Sequence, residues 1–200
     1  MGLVRIAVLV SGGGSNLQSL IDKIHGTYGE IVLVASNRKN AYGLERAKKA
    51  GIAAQVVSGE DYDEKLEALL REKEVDLVVL AGYLKKISPE LVGRYKNKII
   101  NIHPSLIPSF SGEGCYGLKV HEMAVEYGVK ISGATVHFVD ENMDTGAIIA
   151  QRAVEVDWND TPESLQAKVL KIEHEILAEA VKNYCLEKIT VNGRIVAVKE

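Results

Sequence analysis

Val4-Arg5-Ile6-Ala7-Val8-Leu9-Val10, followed at once by Ser11-Gly12-Gly13-Gly14-Ser15-Asn16, decides how the chain is read. The first seven residues are a nearly continuous apolar run, as expected of a strand buried in the middle of a parallel sheet. The glycines turn the chain, and Leu17, Leu20, Ile21 and Ile24 then recur at helical spacing. The free backbone N–H groups at such a helix start form a cradle for an anion, and glycines let a phosphate come close. The loop is not a Walker A sequence, because Lys-Ser/Thr is missing. A dinucleotide loop wants an acidic residue after the second strand, where Ser36-Asn37-Arg38 stands. NAD is therefore disfavoured, Arg38 leaves a small place for NADP, and a tight turn without a ligand is the plain alternative.

Working outward, residues 31–35 read as a second strand, and Asn40 as the cap of a helix over 41–50 that Gly51 ends. A third strand spans 52–57, a charged helix 62–74 and a fourth strand 75–81. Ser88 caps a short helix with Pro89 at its first position. The order β-α-β-α-β-α-β-α-β predicts an α/β fold: a doubly wound, mostly parallel twisted sheet with helices on both faces. Beyond it, residues 109–117 read as an exposed glycine-rich loop, 118–127 as a helix, and 130–139 and 147–156 as long strands. Thr161 caps a long helix with Pro162 at its first position and a buried stripe of Leu165, Val169, Ile172, Ile176 and Ala180. Residues 186–198 close with a hairpin around Asn192-Gly193. No repeat or linker interrupts the chain, so residues 1–200 are expected to form one domain.

Ligands of open α/β sheets gather beyond the carboxyl ends of the strands. Three polar or glycine-rich turns fall at such ends: residues 11–16, 82–87 and 101–108. The last belongs to Ile99-Ile100-Asn101-Ile102-His103-Pro104-Ser105-Leu106-Ile107-Pro108. Strand alternation puts Asn101 and His103 on one face and Ile100 and Ile102 on the other, and Pro104 stops the ladder. An amide N–H stabilises an oxyanion and an imidazole moves a proton near neutral pH. Asp144, in the turn before Gly146, is a carboxylate that could orient His103 and favour its protonated form. A turn aspartate capping its own backbone is at least as common. His137 alternates with Val136 and Phe138 and reads as structural or supporting, while His25, His121 and His174 fall on expected helices. No spacing suits a metal. Glu173 flanks the buried stripe of the last helix, and spacing alone favours a solvated charge.

The totals narrow the classes. With 24 Lys+Arg against 27 Asp+Glu, the net charge of −3 argues against a general nucleic-acid or membrane-surface binder. Only Cys115 and Cys185 are present, which suits reduced thiols in the cytoplasm. No stretch reads as a signal peptide or membrane span.

Together, residues 11–18, Ser36-Asn37, Gly43-Leu44-Glu45-Arg46-Ala47, Leu80-Ala81-Gly82-Tyr83, 101–108, Val136-His137-Phe138-Val139 and Asp144-Thr145-Gly146 resemble the phosphoribosylglycinamide formyltransferases. The likeness runs from about residue 5 to 184 in the right order and spacing. It implies the Rossmann-like formyltransferase fold, with a nucleotide half over about 1–100 and a folate and catalytic half over about 101–200. It implies transfer of the formyl group of 10-formyltetrahydrofolate, a co-substrate, to glycinamide ribonucleotide in purine synthesis, without a metal. Asn101, His103 and Asp144 would be the catalytic trio. Gly14, Ser15, Asn16 and Glu173 would hold the ribonucleotide. Leu84, Lys85, Lys86 and Ile87, with Asn101 and the loop of Asp140, Glu141, Asn142, Met143 and Asp144, would hold the folate. The partners would be these small molecules, with no nucleic acid or membrane, and the chain a monomer or homodimer. Lys85 stands where the family often has arginine, Leu170 replaces a polar residue, and residues 58–61 lack an arginine found in some members. Methionyl-tRNA formyltransferase and formyltetrahydrofolate hydrolase share the 101–108 pattern, but the first usually adds a C-terminal domain and the second an N-terminal one. A non-catalytic metabolite sensor is the remaining alternative, and the trio argues against it.

Overall fold

The computed structural model describes residues 2–199. Nine strands and six helices run β1 (Val4–Val10), α1 (Ser15–Lys23), β2 (Gly29–Ser36), α2 (Tyr42–Lys49), β3 (Ala54–Val56), α3 (Tyr62–Glu72), β4 (Leu77–Leu80), α4 (Pro89–Arg94), β5 (Ile99–His103), α5 (Leu118–Tyr127), β6 (Ile131–Phe138), β7 (Ile148–Glu155), α6 (Pro162–Cys185), β8 (Ile189–Asn192) and β9 (Ile195–Val198). The first seven form one sheet in the order β3-β2-β1-β4-β5-β6-β7, and β8 and β9 form a hairpin. Pairing is parallel from β3 through β5 and antiparallel at β5–β6 and β6–β7. The expected doubly wound, mostly parallel sheet is the one present.

Alternation along the strands feeds two cores. Ile6, Val8 and Val10 of β1 join Leu77 and Val79 of β4 in a layer with α1, α2, α5 and α6. Ala7 and Leu9 join Val78 and Leu80 in the opposite layer with α3 and α4. Burial on both faces explains why β4 is apolar throughout and β1 is apolar but for Arg5 near its start. In β5, Ile100 and Ile102 enter the first core and Ile99 the second. Asn101 and His103 share the face of Ile99 but sit where that core ends.

The winding reverses between β1 and β4, because α1 and α2 carry the chain one way over one face and α3 and α4 the other way over the other. That reversal opens a crevice at the strand ends. Ser11 bridges it: its N–H donates to the Gly82 carbonyl at 3.2 Å, and its hydroxyl accepts from the Leu84 N–H at 2.9 Å.

Two local expectations change. Asn40 does not cap α2; Ala41 occupies the cap position with no side-chain bond. The N–H of Gly43, among those left free at a helix start, is served by the Gly12 carbonyl at 3.1 Å, so no capping side chain is needed there. His25 is not helical, since α1 ends at Lys23 and His25 bridges to Gly29 instead. The start of α6 is as read: Thr161 and Ser164 form a reciprocal capping box behind Pro162.

Candidate active site

The crevice is a cavity of about 620 Å³ lined by the turns after β1, β4 and β5, the loops at 112–117 and 139–144, and one face of α6. Gly14, Ser15 and Asn16 wall one end. Leu84, Lys85, Lys86 and Ile87 wall another, with Asp140, Asn142, Met143 and Asp144 facing them. Asn101 and His103 line it from the end of β5, and Glu173 from α6. Glu141 is the one expected residue not brought to this cavity. Asp140 accepts from the Asn142 N–H at 3.1 Å and the Thr145 hydroxyl at 2.6 Å, and the tight turn so formed presents Glu141 to solvent on its far side.

The orientation of Asn101 follows from its neighbour on β6. Register pairs Asn101 with His137. His137 Nδ1 lies 2.8 Å from the Phe138 carbonyl, which can only accept, so Nδ1 carries the proton. In the neutral ring Nε2 is then an acceptor, and it takes a hydrogen from Asn101 Nδ2 at 3.0 Å. The second Asn101 N–H is left for the cavity. His137, read from sequence as a supporting residue, thus aims the amide. The antiparallel turn of β6 that brings it there has no signature in a single sequence.

His103 is 4% exposed. Its Nε2 lies 2.9 Å from the Phe110 carbonyl and therefore holds a proton. Its Nδ1 faces Asp144 Oδ2 at 3.5 Å, too long for a hydrogen bond. Burial lowers the His103 pKa below the ordinary histidine value, outweighing the opposing pull of Asp144 and the Phe110 carbonyl. The expectation that Asp144 holds His103 charged is corrected on this point: at neutral pH the resting ring is neutral, with a free lone pair on Nδ1. Burial also works on Asp144, raising its pKa, but His137 and His103, which are protonated in the acid range where a carboxylate titrates, and the Gly112 N–H at 2.9 Å together bring it below the usual carboxylate range. Asp144 is therefore ionised, at φ 56° in the left-handed region, within reach of both imidazoles. Gly146 makes the loop possible, because a Cβ there would sit 1.7 Å from the Phe138 carbonyl oxygen.

Glu173 is 8% exposed rather than solvated. Burial raises its pKa, and Asn16 Nδ2 donates to its Oε2 at 2.7 Å. Asn16 Oδ1 is buried with no partner in the protein. An acceptor left open beside a carboxylate suits a ligand bearing hydroxyl donors. Sequence reasoning also missed His121. It lies on α5 as read, but is 1% exposed, lines the cavity, and burial pushes its pKa down to about 4. Among the described residues no three His, Cys, Asp or Glu side chains converge as metal ligands would.

The family model described as Formyl transferase matches residues 4–181. A chloroplastic phosphoribosylglycinamide formyltransferase of Arabidopsis thaliana is 45% identical over 198 residues, which is 92% of this chain and 66% of that protein. The chain spans about two thirds of the length of the curated relatives it matches first. Glycinamide ribonucleotide transformylase 1 from Symbiobacterium toebii superposes with a TM-score of 0.92 at 39% identity, covering 99% of this chain and 95% of that one. The phosphoribosylglycinamide formyltransferase from Anaplasma phagocytophilum gives 0.92 at 40% identity, over 100% and 96%.

Proposed function

The chain belongs to the formyl transferase family, and on that premise we propose that it moves the formyl group of 10-formyltetrahydrofolate to the primary amine of glycinamide ribonucleotide. The products are N-formylglycinamide ribonucleotide and tetrahydrofolate. One observation carries the reading: a single cavity is lined by the glycine-rich loop of residues 11–16, by residues 84–87 and the 139–144 loop, and by the Asn101 amide, the His103 imidazole and the Asp144 carboxylate.

In this reading residues 14–16 and Glu173 hold the ribonucleotide, the phosphate on the loop and the ribose hydroxyls against Asn16 and Glu173. The half-exposed side chains of Leu84 and Met143 suit the flat face of a pterin, and Ile87 and the loop around Asp140 enclose it. The amine nitrogen attacks the formyl carbon, and the carbonyl oxygen takes up the displaced electron pair. The free N–H of Asn101 stabilises that oxyanion by hydrogen bond, and His103, whose Nε2–H stays on the Phe110 carbonyl, stabilises it by the positive charge it gains. The amine proton passes, through water, to the His103 Nδ1 lone pair, and ionised Asp144 stabilises the imidazolium. Collapse breaks the bond from carbon to N10, and the His103 imidazolium returns its Nδ1 proton, through water, to N10 as it leaves, which restores the neutral ring. No metal takes part. The first half of the chain contributes the nucleotide loop and the second all three catalytic groups, Asn101, His103 and Asp144. A cytoplasmic location, small molecules as the only substrates, and a monomer or homodimer belong to the same proposal. No helix among the described residues is long and apolar enough to cross a membrane.

The direct test incubates the purified chain with both substrates. Mass detection of the N-formylated ribonucleotide, in step with tetrahydrofolate release, is expected. Binding of both substrates with no formylated product would contradict the proposal.

A further inference from the structure

The glycine-rich loop is held from behind by α2, and the contact has a consequence for the loop's front. Gly14 is left-handed at φ 70° and packs so closely that a Cβ would lie 2.7 Å from Gly43 Cα. The Gly43 N–H donates to the Gly12 carbonyl at 3.1 Å. Arg46, one turn further along α2, donates from Nε to the Gly13 carbonyl at 2.8 Å and from Nη1 to Gln18 Oε1 at 3.1 Å. Its guanidinium also lies over the Tyr42 ring, 5.1 Å from the centroid. One planar side chain therefore ties the loop to the first turns of α1.

In a trans peptide the C=O and the following N–H point in opposite directions. Fixing the Gly12 and Gly13 carbonyls toward α2 fixes the Gly13 and Gly14 N–H groups away from it. Residues 11–16 line the cavity and α2 contributes nothing to its wall. The amides are thus turned to the ligand side by the groups that hold their carbonyls. Arg46 touches neither the cavity nor the reacting atoms.

We infer that Arg46 is a positioning residue for phosphate recognition, setting the direction of the Gly14 N–H through the Gly13 carbonyl. This rests on the proposed use of the loop as the ribonucleotide's phosphate cradle. The fork geometry matters as well as the charge, because two acceptors are met at once and a lysine ammonium on a flexible stem is not pre-shaped to do so.

The test compares Arg46→Gln and Arg46→Lys with the parent chain, using glycinamide ribonucleotide and its dephosphorylated riboside as acceptors. Equilibrium binding of the ribonucleotide is measured by calorimetry alongside thermal unfolding. For both variants KM and Kd for the ribonucleotide are expected to rise about 10- to 100-fold, with kcat changed far less. The preference for ribonucleotide over riboside in kcat/KM should shrink by a similar factor. Restoration of the parent preference by lysine would overturn the inference, since charge alone would then suffice. So would equal losses with both acceptors, or an unchanged preference in a folded Arg46→Gln chain. A parent chain that does not distinguish ribonucleotide from riboside would instead bring down the phosphate-cradle reading itself.

Discussion

Asn101 is aimed by the acceptor at His137 Nε2, which is an acceptor because the Phe138 carbonyl fixes the proton on Nδ1. Removing the end of that relay should therefore cost less than removing the amide. Asn101→Ala is expected to lower kcat by about 10²–10³-fold, the usual loss for one oxyanion donor. His137→Phe, which keeps volume but offers no acceptor, should lower kcat by about tenfold with KM little changed. Steady-state kinetics on both variants checks the ordering, and a larger loss for His137→Phe would contradict it. Glu173 gives a pH prediction. Burial raises its folded pKa, so its stability contribution is complete below the unfolded value near 4.5 and is lost as pH rises through the folded value. Glu173→Gln carries no charge to bury and can still accept from Asn16. The variant should melt higher than the parent at pH 8, with the gap closing below about pH 4.5, while ribonucleotide binding weakens. A lower melting temperature at pH 8 would refute this account of Glu173. At this scale Asn101 and His103 were legible, because strand alternation and Pro104 fix where they point. Asp144 and Glu173 were not: a turn residue obeys no periodicity, and helical spacing does not say what packs against a flank.

The elements that position these residues are mostly local in origin. Apolar runs, the Ser88-Pro89 and Thr161-Pro162 starts and the glycine-rich turn all announce themselves in the chain. Asn40 misled because a loop carbonyl from elsewhere, that of Gly12, reaches α2. The antiparallel return of β6 beside β5 was also not readable, since long strands after a loop are compatible with either direction. Gly14 is where the loop depends most on its neighbour. Gly14→Ala would combine a left-handed backbone with contact on Gly43 Cα at 2.7 Å, and backbone cannot yield as a flexible side chain does. A destabilisation of about 1–3 kcal/mol is expected. Denaturant unfolding should register it, together with a larger loss of affinity for ribonucleotide than for folate. Wild-type stability with wild-type ribonucleotide affinity would contradict the tight docking of loop on α2.

At the scale of the fold, the seven-stranded sheet carries a core on each face, and the place of the crevice is set by winding. Because the winding reverses between the parallel strands β1 and β4, the turns after both strands meet there with the end of β5. On the proposed reading, a phosphate cradle, a slot for a flat ring and a proton-handling trio become neighbours though they are far apart in sequence. The central claim is that this crevice brings a phosphorylated amine to a formyl-folate. The most direct measurement offers 10-formyltetrahydrofolate to the chain with glycinamide ribonucleotide, water or initiator tRNA as acceptor, and follows tetrahydrofolate formation with each. The account predicts rapid turnover with the ribonucleotide and at most a slow background with water and tRNA. Equal or faster turnover with water or with tRNA would contradict it.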